Sequence, residues 1–137
     1  MIVKKISSFL YFWFPVLGYM GVIFYFSSLS QPGIPSIFPD YLLHMGEYSL
    51  LSFLIVRAVR KGLMQRKVSL EWLWGIGISL VYGISDEFHQ SFVPGRSPEL
   101  RDILFDFIGI ILGYIFLLVV HHLLFKFRGG VRVLANK

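Results

Sequence analysis

Apolar residues run along this chain in long blocks, rather than at the alternate positions of a half-buried strand or the narrow stripe of a surface helix. The first block, Phe9 to Phe26, holds 18 residues without a formal charge and follows Lys4 and Lys5. About 20 such residues, wound as a helix, cross the roughly 30 Å apolar layer of a bilayer. Extended to its flanks, this block predicts a helix over about 6–26, and three similar blocks predict helices near 41–59, 70–89 and 102–125. Between them lie a Ser/Pro/Gly stretch (27–39), a basic stretch (57–67) and a Pro/Gly turn region (92–99). Pro15 inside the first block removes one backbone donor and predicts a kink, which membrane helices tolerate. The expected architecture is therefore all-α, an integral membrane four-helix bundle. It is built from two hairpins and forms a single domain over residues 1–137. A cleaved signal peptide is the competing reading of the first block, because Ser28-Leu29-Ser30 has the small-x-small form of a cleavage site. Against it, the apolar run is longer than a signal needs and ends in bulky aromatics.

Composition supports the bilayer. The 137 residues are 55% hydrophobic and only 15% charged, against about 25% charged in an average protein. Mean hydropathy is +0.68, so too few charges exist to coat a soluble globule of this size. The absence of cysteine excludes a disulfide framework, thiolate catalysis and Cys-ligated metal sites. A net charge of +5 would raise nucleic acid as a partner, but the placement of the basic residues is topological. Lys4, Lys5, Arg57, Arg60, Lys61, Arg66, Lys67, Lys126, Arg128, Arg132 and Lys137 fall at one end of the four blocks, and only Arg96 and Arg101 fall at the other. The positive-inside rule makes the basic end cytoplasmic. The expectation is a multi-pass cell-membrane protein with both termini inside, its loops near 27–40 and 90–102 outside, lipids as partners and no nucleic acid.

Carboxylates sort the other way. Asp40, Glu47, Asp86, Glu87, Glu99, Asp102 and Asp106 all map to the outer end, leaving Glu71 alone inside. Acidic residues have little influence on topology, so the clustering needs another explanation. On the second helix His44, Glu47, Tyr48 and Leu51 share a face at i, i+3, i+4 and i+7. The third helix ends Asp86-Glu87-Phe88-His89-Gln90, with Asp86 on the face of His89 and Gln90, and the fourth opens with Asp102 and Asp106 one turn apart. A carboxylate at membrane depth costs a few kcal/mol unless it faces the bundle interior or a wet cavity, so these faces are expected to converge on an outward-facing polar pocket. Gly75, Ser79 and Gly83 on the third helix, and Gly109 and Gly113 on the fourth, form small-residue stripes expected to pack these two helices together beneath the acidic cluster. Pro94-Gly95 suits a type II turn that presents Arg96 to a carboxylate or to an anionic ligand, and Ser97-Pro98 reads as the N-cap and first residue of the last helix.

Candidate acid/base groups are Glu47, Asp86, Glu87 and His44, and candidate ligand-binding residues are Tyr48, His89, Gln90, Arg96, Asp102 and Asp106. The competing reading of the acidic cluster is a purely structural interhelical hydrogen-bond network. No cofactor is expected; a divalent metal on His44, Glu47, Asp86 and His89 is the alternative, with a weaker pattern than His-Glu-x-x-His. His121-His122 reads as an interfacial pair, and Trp72 and Trp74 as bilayer anchors.

His44-xx-Glu47-Tyr48, the run Ser85-Asp86-Glu87-Phe88-His89-Gln90-Ser91-Phe92-Val93-Pro94-Gly95-Arg96, and Asp102 followed by Gly109-xxx-Gly113 closely resemble the VanZ-like membrane proteins. The most specific piece is Asp-Glu-x-x-Gln-x-Phe-x-Pro-Gly-Arg. Ser27-Ser28 with Gln31-Pro32 also resembles the family's Ser-Ser-Gln-Pro element, and the likeness spans roughly 20–118. Tyr41 stands where many members carry Lys, and Asp106 where Asn is usual, which alters the charge of the pocket. The resemblance implies a membrane fold, a set of site positions and a link to tolerance of teicoplanin, a lipoglycopeptide. Three classes follow: an enzyme acting at the outer leaflet on a lipid-linked or phosphate-bearing envelope precursor; a noncatalytic envelope binder or scaffold for a lipid-like compound such as a lipoglycopeptide; and a small transporter, disfavoured by the lack of inverted repeats.

Overall fold

In the computed structural model, residues 2–30, 39–60 and 68–135 are described, with side chains described over 9–30, 39–60 and 72–127. Gln31-Pro32, Lys61, Arg66, Lys67 and Lys137, and the side chains of Lys4, Lys5, Glu71, Arg128 and Arg132, lie outside these limits. The described residues form four helices: α1 (Ile2–Ser27), α2 (Asp40–Ala58), α3 (Val68–Gln90) and α4 (Leu100–Ala135). No strand occurs among them. The helices outrun the apolar blocks. Helix α1 starts at Ile2 and α4 runs to Ala135, because Lys and Arg propagate a helix as well as apolar residues do. Hydropathy marks where the apolar layer ends, not where the helix ends. Helix α1 passes through Pro15 without interruption.

The arrangement is organised around α2, which touches all three other helices. Extended backbone at Pro39 (φ −57°, ψ 138°) feeds this helix, and Asp40 in its first turn complements the positive end of the helix dipole. Tyr48, Leu51 and Ile55 of α2 form the core with Val16 and Ile23 of α1 and Ile110 of α4. Helices α3 and α4 touch, as expected, but their small-residue stripes pack mainly on a third helix. Both face α2. A Cβ at Gly109 would lie 2.9 Å from Met45 Cα, and one at Gly113 would lie 2.9 Å from the Ser49 carbonyl carbon. Gly75 lies against Val56, and Gly83 lies against both the Tyr48 ring of α2 and the Asp106 carboxylate of α4. The spacing was a sound indicator of close helix contact, but it could not name the partner. Helix α2 takes the central position and buries His44, Tyr48, Leu51, Ser52 and Ile55, while Asp40 at its start stays exposed.

Burial is inverted relative to a water-soluble bundle. Asp86, Glu87, Gln90 and Asp106 are buried, whereas Phe14 is 77% exposed, Val81 68% and Phe116 58%. Trp72 and Trp74 are exposed as well. The segments Phe9–Ser27 and Leu100–Phe127 are long and apolar enough to cross a membrane. Together with the apolar exterior they point to membrane association.

Gly113→Leu forces a side chain into the α2 backbone and is expected to destabilise the folded protein by about 2 kcal/mol. Gly77→Ala, with nothing within 4 Å of the added carbon, is expected to be neutral or slightly stabilising. Equilibrium unfolding of the purified protein in detergent measures both.

Candidate functional site

The chemistry gathers where α2 and α4 begin and α3 ends. His44 occupies its centre, one turn into α2, with its two ring nitrogens directed at two carboxylates of α4. Its Nδ1–H donates to Asp106 Oδ1 at 2.9 Å, a buried bond, and Nε2 lies 4.0 Å from Asp102 Oδ2. Because a carboxylate only accepts, this bond fixes the proton on Nδ1 and turns Nε2 toward Asp102. Among the described residues, His44 alone makes ion pairs with these carboxylates.

On one side of His44, a narrow cleft opens between α1, α2 and α3. Its polar lining is Ser27, Asp40, His44, Glu47, Asp86, Gln90 and Arg96, with Ile23, Phe26 and Leu43 beside them. Asp86 sits at the end of α3, where Gln90, one turn later, donates Nε2–H to its Oδ2 at 3.1 Å. Asp86 Oδ1 is buried and has no hydrogen-bond partner among the described residues. On the other side, at the junction of α2, α3 and α4, lie Glu87, Asp106 and Tyr48. Glu87 Oε2 accepts the backbone N–H of Glu99 at 3.3 Å, while its Oε1, Asp106 Oδ2 and the Tyr48 hydroxyl are buried without partners among the described residues.

The turn at Pro94-Gly95 has the anticipated form. Arg96 N–H donates to Val93 O at 3.1 Å, and Gly95 has φ +84°, a region open to glycine and strained for other residues. The guanidinium it presents pairs with no carboxylate among the described residues. Nε donates to Leu29 O at 3.2 Å and Nη2 to Phe26 O at 3.4 Å, so Arg96 caps the C-terminus of α1 while lining the cleft. A cationic donor suits carbonyls at this end of a helix, where the dipole is negative, and Phe26 O accepts it in addition to Leu29 N–H. Helix α4 begins at Leu100, so Ser97 and Pro98 precede it. The Glu99 carbonyl accepts from Asp102 N–H, and Glu99 stands where Ser97 was expected.

Of the residues singled out from sequence, His44, Glu47, Asp86, Gln90 and Arg96 line the cleft, and Tyr48, Glu87 and Asp106 lie behind it, with Asp102 beside His44. His89 is elsewhere. Its ring stacks on Phe24 with centroids 4.5 Å apart, and Nε2 lies 3.0 Å from Ser28 Oγ. The Ser28 hydroxyl already donates to Phe24 O at 2.7 Å, so Nε2–H of His89 is the donor, and the residue fastens α3 to the end of α1. Asp40, one of the outer acidic cluster, and Ser27, part of the Ser-Ser-Gln-Pro element, are not among the candidate acid/base or ligand-binding residues, yet both line the cleft. Asp40 lies one turn before His44, an i, i+4 relation that would have drawn it in. No sequence periodicity could have brought Ser27 from α1 to the cleft. At the opposite end of the chain, Arg60 Nη2 and His121 Nε2 are 3.1 Å apart.

The sequence profile of the VanZ/LLP1 family matches residues 12–121, a stretch that contains every residue of the cleft and of the junction behind it. No curated protein and no solved structure matches the chain.

Replacing Arg96 by Gln removes the charge-assisted cap of α1. Amide hydrogen exchange at Ser28 and Leu29 is expected to rise about tenfold, with exchange in the middle of α4 unchanged; hydrogen–deuterium exchange mass spectrometry reads both.

Proposed function

Because the chain belongs to the VanZ/LLP1 family, we propose that it is a four-span protein of the cell membrane. Its acidic end faces outward, both termini face the cytoplasm, and its cleft binds the polar part of an amphiphilic envelope ligand. The basic residues at one end and the carboxylates at the other support that orientation. One observation carries the ligand reading: the cleft offers the carboxylates of Asp40, Glu47 and Asp86, and one buried oxygen, Asp86 Oδ1, is left without a donor. Buried acceptors without partners are costly, so a ligand supplying hydroxyl or ammonium donors gains affinity by satisfying them. Arg96 bonds the α1 carbonyls through Nε and Nη2, and its remaining N–H groups suit an anionic substituent of the same ligand. A lipoglycopeptide or a lipid-linked envelope precursor has this mixed chemistry. Tolerance of teicoplanin is then the phenotype through which binding is read.

Two roles are compatible with such a cleft. As a binder, the protein sequesters the amphiphile or controls its access to the membrane surface. As an enzyme, it uses Glu47, Asp86, Glu87 or His44 as acid or base on the bound headgroup. The contacts Gln90–Asp86, Glu99–Glu87 and His44–Asp106 favour a structural share for the buried carboxylates, and this share is greatest behind the cleft.

The ligand reading is tested by Glu47→Gln and Asp86→Asn in cells challenged with teicoplanin, with membrane levels of each variant measured alongside. Tolerance is expected to fall to that of cells lacking the protein while accumulation stays normal. Full tolerance at normal accumulation would contradict the proposal.

A further inference from the structure

Behind the cleft, the three-helix junction holds a donor set that the ligand reading does not use. His44 from α2, Glu87 from α3 and Asp106 from α4 each place one ligating atom within 4.8 Å of the other two, and all three residues are buried. Two further facts distinguish this from a casual grouping of acids. Glu87 is 4% exposed and Asp106 1%, and each keeps one buried oxygen, Oε1 and Oδ2 respectively, without a hydrogen-bond partner among the described residues. No Lys or Arg side chain among the described residues pairs with either carboxylate. A single imidazolium cannot neutralise two buried carboxylates, and an uncompensated charge in so dry a setting is expensive.

We propose that His44, Glu87 and Asp106 form a binding site for a divalent first-row transition ion such as Zn²⁺ or Mn²⁺. One imidazole nitrogen with carboxylate oxygens is the donor set such ions accept. A dipositive ion cancels the charge of the two carboxylates. Donors sharing a tetrahedral ion at about 2.1 Å stand about 3.4 Å apart, so the present spacing needs only small side-chain rotations. His44 Nδ1–H now donates to Asp106 Oδ1 at 2.9 Å; an ion bound between these atoms takes the place of that proton, which leaves to water. Asp102, with Oδ2 4.0 Å from His44 Nε2, flanks the site on its more open side. It is placed to hold Nε2–H and thereby orient the ring, as carboxylates beside metal-bound histidines do. The site lies at the meeting of three helices, so the ion would tie α2, α3 and α4 together and set the position of His44 in the wall of the cleft. It stands independently of what the cleft binds.

The full chain, purified in detergent and stripped with a chelator, is titrated with Zn²⁺ alone by calorimetry and with Mn²⁺ alone for pulsed electron paramagnetic resonance. About one Zn²⁺ per chain is expected. Glu87→Gln and Asp106→Asn should each weaken binding at least tenfold while retaining wild-type helical content and elution volume. Glu47→Gln, which alters the cleft and not the triad, should bind Zn²⁺ as the wild type does. Bound Mn²⁺ in the wild-type chain should show coupling to a ¹⁴N nucleus. Absence of stoichiometric binding would overturn the proposal, as would Mn²⁺ without nitrogen coupling. So would affinity that survives in Glu87→Gln and Asp106→Asn, as an ion held by His121-His122 would give, or that falls equally in Glu47→Gln. Loss of teicoplanin tolerance on Glu47→Gln with metal binding intact separates the two sites.

Discussion

The bond from His44 Nδ1–H to Asp106 Oδ1 joins two buried polar side chains across the α2–α4 contact, and the rest of the site is arranged around it. A carboxylate 1% exposed needs a donor, and His44 Nδ1–H supplies it. The bond requires α2 and α4 to lie close together, and Gly109 and Gly113 allow it by letting the Met45 and Ser49 backbone approach where a side chain would intrude. Removing Cβ atoms from α4 one and two turns below Asp106 thus has a chemical consequence above. It brings an acid of α4 within reach of an imidazole of α2.

His44 also divides the acidic end into two environments. Toward α1 the cleft of Asp40, Glu47 and Asp86 opens beside Arg96, which is steadied by the last carbonyls of α1. Toward α4 the junction of Glu87 and Asp106 is closed by packing. Carboxylates that look alike in sequence therefore differ in setting: Asp40, Glu47 and Asp86 face the cleft, whereas Glu87 and Asp106 are enclosed between helices beside the imidazole. Glu87 illustrates the second kind, since its Oε2 receives the N–H of Glu99 and fixes the entry of α4 against the end of α3.

Much of this was legible from residue order because long apolar blocks with few charges favour helices, and acids among them are stabilised where helices enclose them with partners. The face of His44, Glu47 and Tyr48, and the Pro94-Gly95 turn that carries Arg96, follow from local periodicity and backbone preference, and both are found. Partner choice does not follow from local rules. Gly75, Gly83, Gly109 and Gly113 announce close packing, yet nothing in their spacing says that α2 lies between the two stripes. His89 shares a helical face with Asp86 in sequence, yet it turns to Ser28 and Phe24 because the end of α1 lies there. The guanidinium of Arg96 meets carbonyls rather than acids for the same reason: the carbonyls of Phe26 and Leu29, at and just past the end of α1, come near it only in the assembled fold.

The central claim is that His44 and Asp106 act as a pair. A double-mutant cycle of His44→Phe and Asp106→Leu, measured by equilibrium unfolding in detergent with a chelator present, tests it most directly. Each single change strands a buried partner, whereas the double change leaves an apolar contact. The double variant is expected to be less destabilised than the sum of the two single variants, by about 1–3 kcal/mol. Additivity within about 0.5 kcal/mol would contradict it.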